Sequence, residues 1–240
     1  VKMMATGAVY KVVEVEEEII DKYGIIAVNL CEIDEDFAIE IKNVIKYIYD
    51  YFPDARYYLT NLTLANVGED SSFIAAFMPI FTFSTSNQNS GYPVATKTQI
   101  ILNAKYFLNS AKLKNSVSYG AKSGYFPKNA TRSSSVAHEF GHYLSYVALL
   151  NYYSTGKLNF VRASQTSVLY DVYDDFNAGN FSKLLLEEAY DIYKTNTGSV
   201  DSFYEFRASI SKYAVAKDNN GYYIYDETIA EAFHDYYLND

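Results

Sequence analysis

Ser135-Val136-Ala137-His138-Glu139-Phe140-Gly141-His142-Tyr143 is the stretch from which the rest of the chain can be read. Residues four apart on an α-helix lie one turn above each other on the same face, so His138 and His142 can aim their imidazoles at a single metal ion. Glu139 falls beside that ion, free to take a proton from bound water. The flanking apolar residues Val136, Ala137, Phe140, Leu144 and Val147 predict a buried helix over 136–150, with Ser133-Ser134-Ser135 as capping chemistry at its start. Gly141 leaves room for close backbone approach by a neighbour. Buried imidazoles and a buried carboxylate need a compensating partner, and a zinc ion is one. With three histidines in the whole chain, chance produces this five-residue pattern in roughly one such sequence in 500, so the motif carries information.

The composition bounds what surrounds it. The 240 residues are 49% hydrophobic and 20% charged, which predicts a chain folded throughout, taken as one catalytic unit over 1–240. A net charge of −9 disfavours nucleic acid and acidic membrane surfaces as partners. The lone Cys31 cannot form an internal disulfide or a Cys-rich zinc site and reads as a core thiol. No apolar run is long enough to span a bilayer, and the start of the chain lacks the layout of a signal peptide. A cytosolic chain, the mature form of a secreted bacterial protein and an excised domain all fit. The 26 tyrosines read as packing and polar-tipped surface, with an aromatic-lined peptide groove as the lesser option.

Along the chain, residues 8–15 alternate like a strand and 16–22 read as a short acidic helix. Residues 36–52 form an amphipathic helix stopped by Pro53. Three β-branched and aromatic runs, 57–64, 73–83 and 96–102, read as strands, and 84–93 and 119–135 as loops. Helices follow at 180–195 and 227–238, with Glu187 and Glu188 on the wet side of the former. The expectation is an α+β fold: a mixed lobe of sheet and helices over 1–135 and a mostly helical lobe over 136–240, with the metal site between them.

The metal needs a third ligand. A His-only continuation of the motif is excluded, because Ser145 and Ala148 stand where it requires Gly and His. The better source is the segment from Glu227 to Asp235, where Glu227 and Glu231 share one helical face amid apolar residues. One carboxylate can bind the metal and the other can accept the ring N–H of a ligating histidine. A solvated acidic face is the bland alternative, and His234, nearly on the same face, is the runner-up ligand.

The segments SVAHEFGHY (135–143), ETIAEAF (227–233) with Tyr213 ahead of it, and the run 96–107 ending in LNAKYF resemble the gluzincin metallopeptidases. More narrowly, they resemble the catalytic domain of anthrax lethal factor and the small Pro-Pro endopeptidases. The resemblance implies a zincin-like fold and one Zn²⁺ held by His138, His142 and Glu227. It further implies Glu231 as the partner of a ligating histidine and Tyr213 as hydrogen-bond donor to the oxyanion. The chain departs from the pattern by an insertion over 216–225, which leaves Tyr222, Tyr223 and Tyr225 as alternative donors, and by a long interval between His142 and Glu227.

These readings point to a zinc endopeptidase in which Glu139 accepts the proton of the attacking water and passes it to the leaving amine. A strand at 73–83 or 96–102 would pair with an extended peptide substrate. Two other classes remain at this point: a catalytically silent binding module of a toxin or mobile element, against which the intact Glu139 argues, and a zinc enzyme of another kind, such as a deacetylase.

Overall fold

The computed structural model describes residues 2–30, 32–56, 58–84, 93–154 and 166–240. Cys31 and most of the loop expected at 84–93 lie outside the described residues. The chain opens with helix α1 (Lys2–Tyr23), strand β1 (Ala27–Asn29) and helix α2 (Glu35–Tyr51), followed by strands β2 (Asn61–Ala65), β3 (Ala75–Phe83) and β4 (Pro93–Asn103). Helices α3 (Ala104–Phe107), α4 (Ser110–Ser123), α5 (Ser134–Tyr153), α6 (Thr166–Ala178), α7 (Asn180–Thr197), α8 (Phe203–Ala208) and α9 (Tyr225–Asn239) complete it. The molecule is α+β and mostly helical, with one small mixed sheet in its first half.

The sheet has the order β1-β2-β4-β3. β1, β2 and β4 run parallel, and β3 returns antiparallel to β4, Phe77 opposite Ile100. β4 is therefore paired on both sides, whereas β3, among the described residues, is an edge. Pro79, within β3, has no N–H to offer a neighbour and suits an edge position.

Two expectations are corrected. Residues 8–15 are not a strand: they belong to α1, which continues through 16–22, helical as expected. The valines are β-branched, but burial decides the matter: Val12, Val15, Ile19 and Tyr23 are buried at helical spacing against the core. Likewise the loop expected from 119 starts later, because Tyr119 to Ser123 finish α4. That helix buries only a thin stripe, Leu113, Val117 and Gly120, so its sequence looks polar, and Gly124 stops it in the left-handed conformation at φ 72°. α6, which packs Leu169 and Val172 into a second small core with Leu149 and Phe181, had no sequence expectation at all.

α2 buries Phe37, Ile41, Val44, Ile45 and Ile48 as its spacing predicts. α5 is the centre of the molecule, with residues buried on every side and α2, α6, α9 and β3 packed around it. Its closest neighbour is α9. A Cβ added to Gly141 would stand 2.7 Å from the Cα of Ala230 and 3.1 Å from the Cβ of Phe233, so the two helix backbones meet at a distance that only glycine permits. The expected role of Gly141 is thus realised against α9.

Gly141→Ala must push α9 away from α5. Overpacking of this kind costs about 1–3 kcal/mol, and the expected outcome is a thermal midpoint lowered by roughly 2–10 °C together with weakened metal binding. A variant that melts and binds metal like the wild type would show that the contact is not limiting.

Candidate metal centre

α5 and α9 meet in three polar rungs, which are one helical turn apart on α5. At the first, Ser134 Oγ lies 2.6 Å from His234 Nε2. At the second, His138 Nδ1 is 2.7 Å from Glu231 Oε1. At the third, His142 Nδ1 is 2.5 Å from Asp226 Oδ2. The order of the pairs requires the helices to run antiparallel. Each histidine of the motif thus spends Nδ1 on a carboxylate of α9, which fixes its ring and turns Nε2 into the space between the helices.

Three atoms converge in that space. His138 Nε2 and His142 Nε2 are 3.2 Å apart, and Glu227 Oε2 lies 3.2 Å from the first and 3.3 Å from the second. A tetrahedral shell with ligands at about 2.0–2.1 Å spaces its ligand atoms about 3.3 Å apart, so this triangle matches one face of such a shell. Glu227 Oε2 is buried with no hydrogen-bond partner, whereas its Oε1 accepts from the Tyr213 hydroxyl at 3.1 Å. A buried carboxylate oxygen left bare beside two imidazole nitrogens is costly unless a cation completes it. His138, His142 and Glu227 can therefore hold a metal ion.

A second set, His138, Glu231 and His234, is also close enough to hold an ion. Its atoms are already committed, however. Glu231 accepts from His138 and, at 3.1 Å, from His234 Nδ1 on Oε1, and from Ser211 Oγ at 2.6 Å on Oε2. Burial lowers the pKa of His234, whose Nδ1 faces Glu231 and whose Nε2 faces the Ser134 hydroxyl. His234, the runner-up ligand from sequence, sits in this network behind the metal-facing atoms. Glu231 lies against the Nδ1 of His138, the position in which the resemblance placed it.

Glu139 is buried next to the histidines, and its carboxylate accepts the Phe77 N–H of edge strand β3 at 2.6 Å. Tyr213 stands in a single 3₁₀ turn clamped from two sides. Thr228 of α9 donates to Ala214 O at 2.5 Å, and the Tyr213 N–H donates to Tyr125 O at 3.1 Å. Its ring stacks on His138, centroids 5.5 Å apart. Burial and the Glu227 carboxylate raise the Tyr213 pKa, so the phenol stays a donor. The insertion is looped out: Ile224 N–H bonds Ala216 O at 3.0 Å and Lys217 pairs with Tyr223. Of the alternative donors, Tyr222 is 72% exposed, while Tyr223 and Tyr225 pack on the Arg207 guanidinium. None of them reaches Glu227.

Sequence reasoning missed Asp226, which orients His142 and in turn accepts from Ser182 at 3.1 Å. The spacing gave only a weak signal, since Asp226 and Glu231 stand five positions apart on α9 whereas His138 and His142 stand four apart on α5. Ser211 and the Phe77 amide carried no signal, because their roles depend on distant segments meeting. The site opens into two hollows that share His138, Glu139, Tyr213, Phe73 and Ala75. One, of about 490 Å³, extends past His142 and Asp226 towards α6 and α7. The other, of about 250 Å³, is bounded by Ile74, Tyr125 and Phe126.

Comparison with known proteins yields no matching family model, curated protein or solved structure. The arguments from here rest on the site itself.

Burial opposes protonation of His138, but the carboxylates of Glu227 and Glu231 outweigh it and push its pKa up to about 9 from 6.5. His142 moves the same way, with Asp226 and Glu227 overcoming burial. In the metal-free protein a raised histidine pKa stabilises the fold fully below pH 6.5, and that contribution is lost as pH rises through 9. The thermal midpoint of chelator-treated protein is therefore expected to fall across this window, and metal uptake near pH 7 to release protons, read by titration calorimetry in buffers of different ionisation enthalpy. A flat midpoint and no proton release would contradict the assignment. Glu227→Ala is expected to weaken metal binding more than Glu231→Ala, whose loss leaves both Nε2 ligands in place. Equilibrium dialysis against a divalent ion ranks the two, and the reverse order would exchange their roles.

Proposed function

We propose that this chain is a zinc-dependent endopeptidase with a zincin-like fold and a gluzincin type of site. The observation that carries the reading is the triangle of His138 Nε2, His142 Nε2 and the bare Glu227 Oε2, with the Glu139 carboxylate and the Tyr213 hydroxyl beside it in one cleft. Two imidazoles and a carboxylate suit zinc, and three protein ligands leave a position open, as catalytic sites require. Zinc bound there would lower the pKa of water to about 7 and polarise a carbonyl.

The residues of the chain supply the rest. Glu139 takes the proton of the attacking water and returns it to the leaving amine, acting as base and then acid. The Phe77 amide, bonded to Glu139, keeps that carboxylate turned to the cleft. The Tyr213 hydroxyl, free to leave Glu227, donates to the oxyanion that develops on the scissile carbonyl. Asp226 and Glu231 hold the imidazoles in the tautomer that presents Nε2.

The edge of β3, open among the described residues, supports a peptide substrate in particular. It runs beside Glu139, and, with the Phe77 N–H taken by Glu139 and none on Pro79, an extended chain laid along it would donate to the edge carbonyls as an added strand. Of the two strands considered from sequence, β4 is already paired on both sides and is withdrawn from this role.

Metal analysis and a peptide-library assay on the wild type and Glu139→Gln test the proposal. Both proteins should hold zinc, and hydrolysis should fall by at least ~10²-fold in the variant, the low end of what positioned acid–base groups contribute. Tyr213→Phe should lower kcat by about 10²–10³ with little change in KM, as expected for a donor used in the transition state. Zinc-loaded wild type that cleaves no peptide in the library, or equal hydrolysis by the wild type and Glu139→Gln, would overturn the reading.

A further inference from the structure

The chain is acidic overall, with a net charge of −9, yet one long groove on its surface is basic. It runs between α4, the segment joining α4 to α5, the stretch 208–212 and the end of α9, with a volume of about 1680 Å³. Lys114, Lys122, Lys128, Arg132 and Lys212 line it against only two carboxylates, Glu40 and Asp240. Both carboxylates are occupied. Glu40 is held by Arg132 at 2.7 and 3.0 Å, and Asp240 accepts the hydroxyls of Tyr47 at 3.0 Å and Tyr51 at 2.7 Å.

What sets the groove apart is the clustering of its unpaired lysines, since Lys97, Lys105, Lys112 and Lys217 elsewhere also pair with no carboxylate among the described residues. Lys11, Lys22, Lys42, Lys46, Lys183 and Lys194 each pair with a carboxylate. Among the described residues Lys114, Lys122 and Lys128 pair with none, although the chain has 29 acidic residues to draw on. Clustered unpaired cations repel one another, and an anion laid among them removes that repulsion.

The groove adjoins the candidate centre. Val117 and Phe126 line both the groove and the 250 Å³ hollow that His138, Glu139 and Tyr213 bound. The hollow on the other side of the centre has the opposite character, with Asp175, Asp226, Glu139 and Glu227 in its lining and no lysine or arginine. Basic side chains thus lie beyond one hollow, across the wall of Val117 and Phe126, and acidic ones line the other.

We propose that the basic groove anchors an acidic stretch of polypeptide, bound on the same side of the catalytic centre as the apolar hollow of Tyr125 and Phe126. The substrate class that follows is a chain with an apolar residue next to the scissile bond and acidic residues beyond it on that side only. The identity of the ligand as a polypeptide rests on the peptidase reading. The charge preference of the groove does not.

Binding and cleavage separate the two. Fluorescence anisotropy on zinc-loaded Glu139→Gln would use labelled peptides with a Phe-Leu pair followed by four glutamates, four glutamines or four lysines, and an oligothymidylate of equal charge. The glutamate peptide is expected to bind about tenfold tighter than the glutamine and lysine peptides and tighter than the oligothymidylate. Adding Lys114→Glu, Lys122→Glu and Lys128→Glu together should abolish the preference, and Lys122→Gln alone should weaken it, with thermal melting checking that each variant is folded. Equal binding of the three peptides, tighter binding of the oligothymidylate, or a preference that survives the triple reversal would overturn the groove assignment. Charge-dependent binding without cleavage by the wild type would leave the groove standing and remove the peptidase reading. Cleavage without charge preference would do the reverse.

Discussion

The close antiparallel contact between α5 and α9 is the constraint on which the rest of the structure depends. It requires small residues where the backbones meet, Gly141 against Ala230, and polar residues that match rung by rung, Ser134 with His234, His138 with Glu231 and His142 with Asp226. Charged and polar groups this deeply buried are tolerated only when each finds a partner. The pairs therefore fix the register of the two helices as well as the chemistry. A shift of α9 by one turn would leave three buried rings and carboxylates without partners.

The same contact explains why one carboxylate oxygen is bare. Among the described residues, the buried side-chain oxygen beside the motif histidines that makes no hydrogen bond is Glu227 Oε2, which points at the two Nε2 atoms. The carboxylates also shape the electrostatics: Glu231 is held down to about pKa 2 against its burial by His138 and His234, while the histidines are raised in turn. Three negative groups around two imidazoles are poised for a cation, and the proposed zinc would neutralise them. The proposed substrate edge follows from the same packing, because α5 lies against β3 and Glu139 reaches its Phe77 amide.

Legibility in the sequence followed physical range. Helix α2 was readable because one apolar stripe meets one core, and α5 because its motif is local. Residues 8–15 misled because a valine-rich segment satisfies both periods, and only packing against α2 and β1 selects the helix. The polar surface of α4 hid its helix, since three buried positions are a weak periodic signal. Asp226 was overlooked beside the more conspicuous Glu227, and Tyr213 could not be chosen over three other tyrosines until the looped-out insertion was seen to return the chain to Glu227.

The sequence by itself determined that His138, Glu139 and His142 share one helical turn, that a carboxylate pair recurs one turn apart at Glu227 and Glu231, and that the chain buries a mixed core. Helical periodicity suffices for each of these, because each involves residues within a few positions of one another. Tertiary structure alone decided which oxygen of which carboxylate faces the histidines, that Asp226 orients His142, and that, among the described residues, β3 rather than β4 has an open edge. It also gathered the groove lysines from α4 and its neighbours on one side of the cleft. Those outcomes depend on where segments far apart in the chain come to rest, and close packing settles that only when the whole core forms at once.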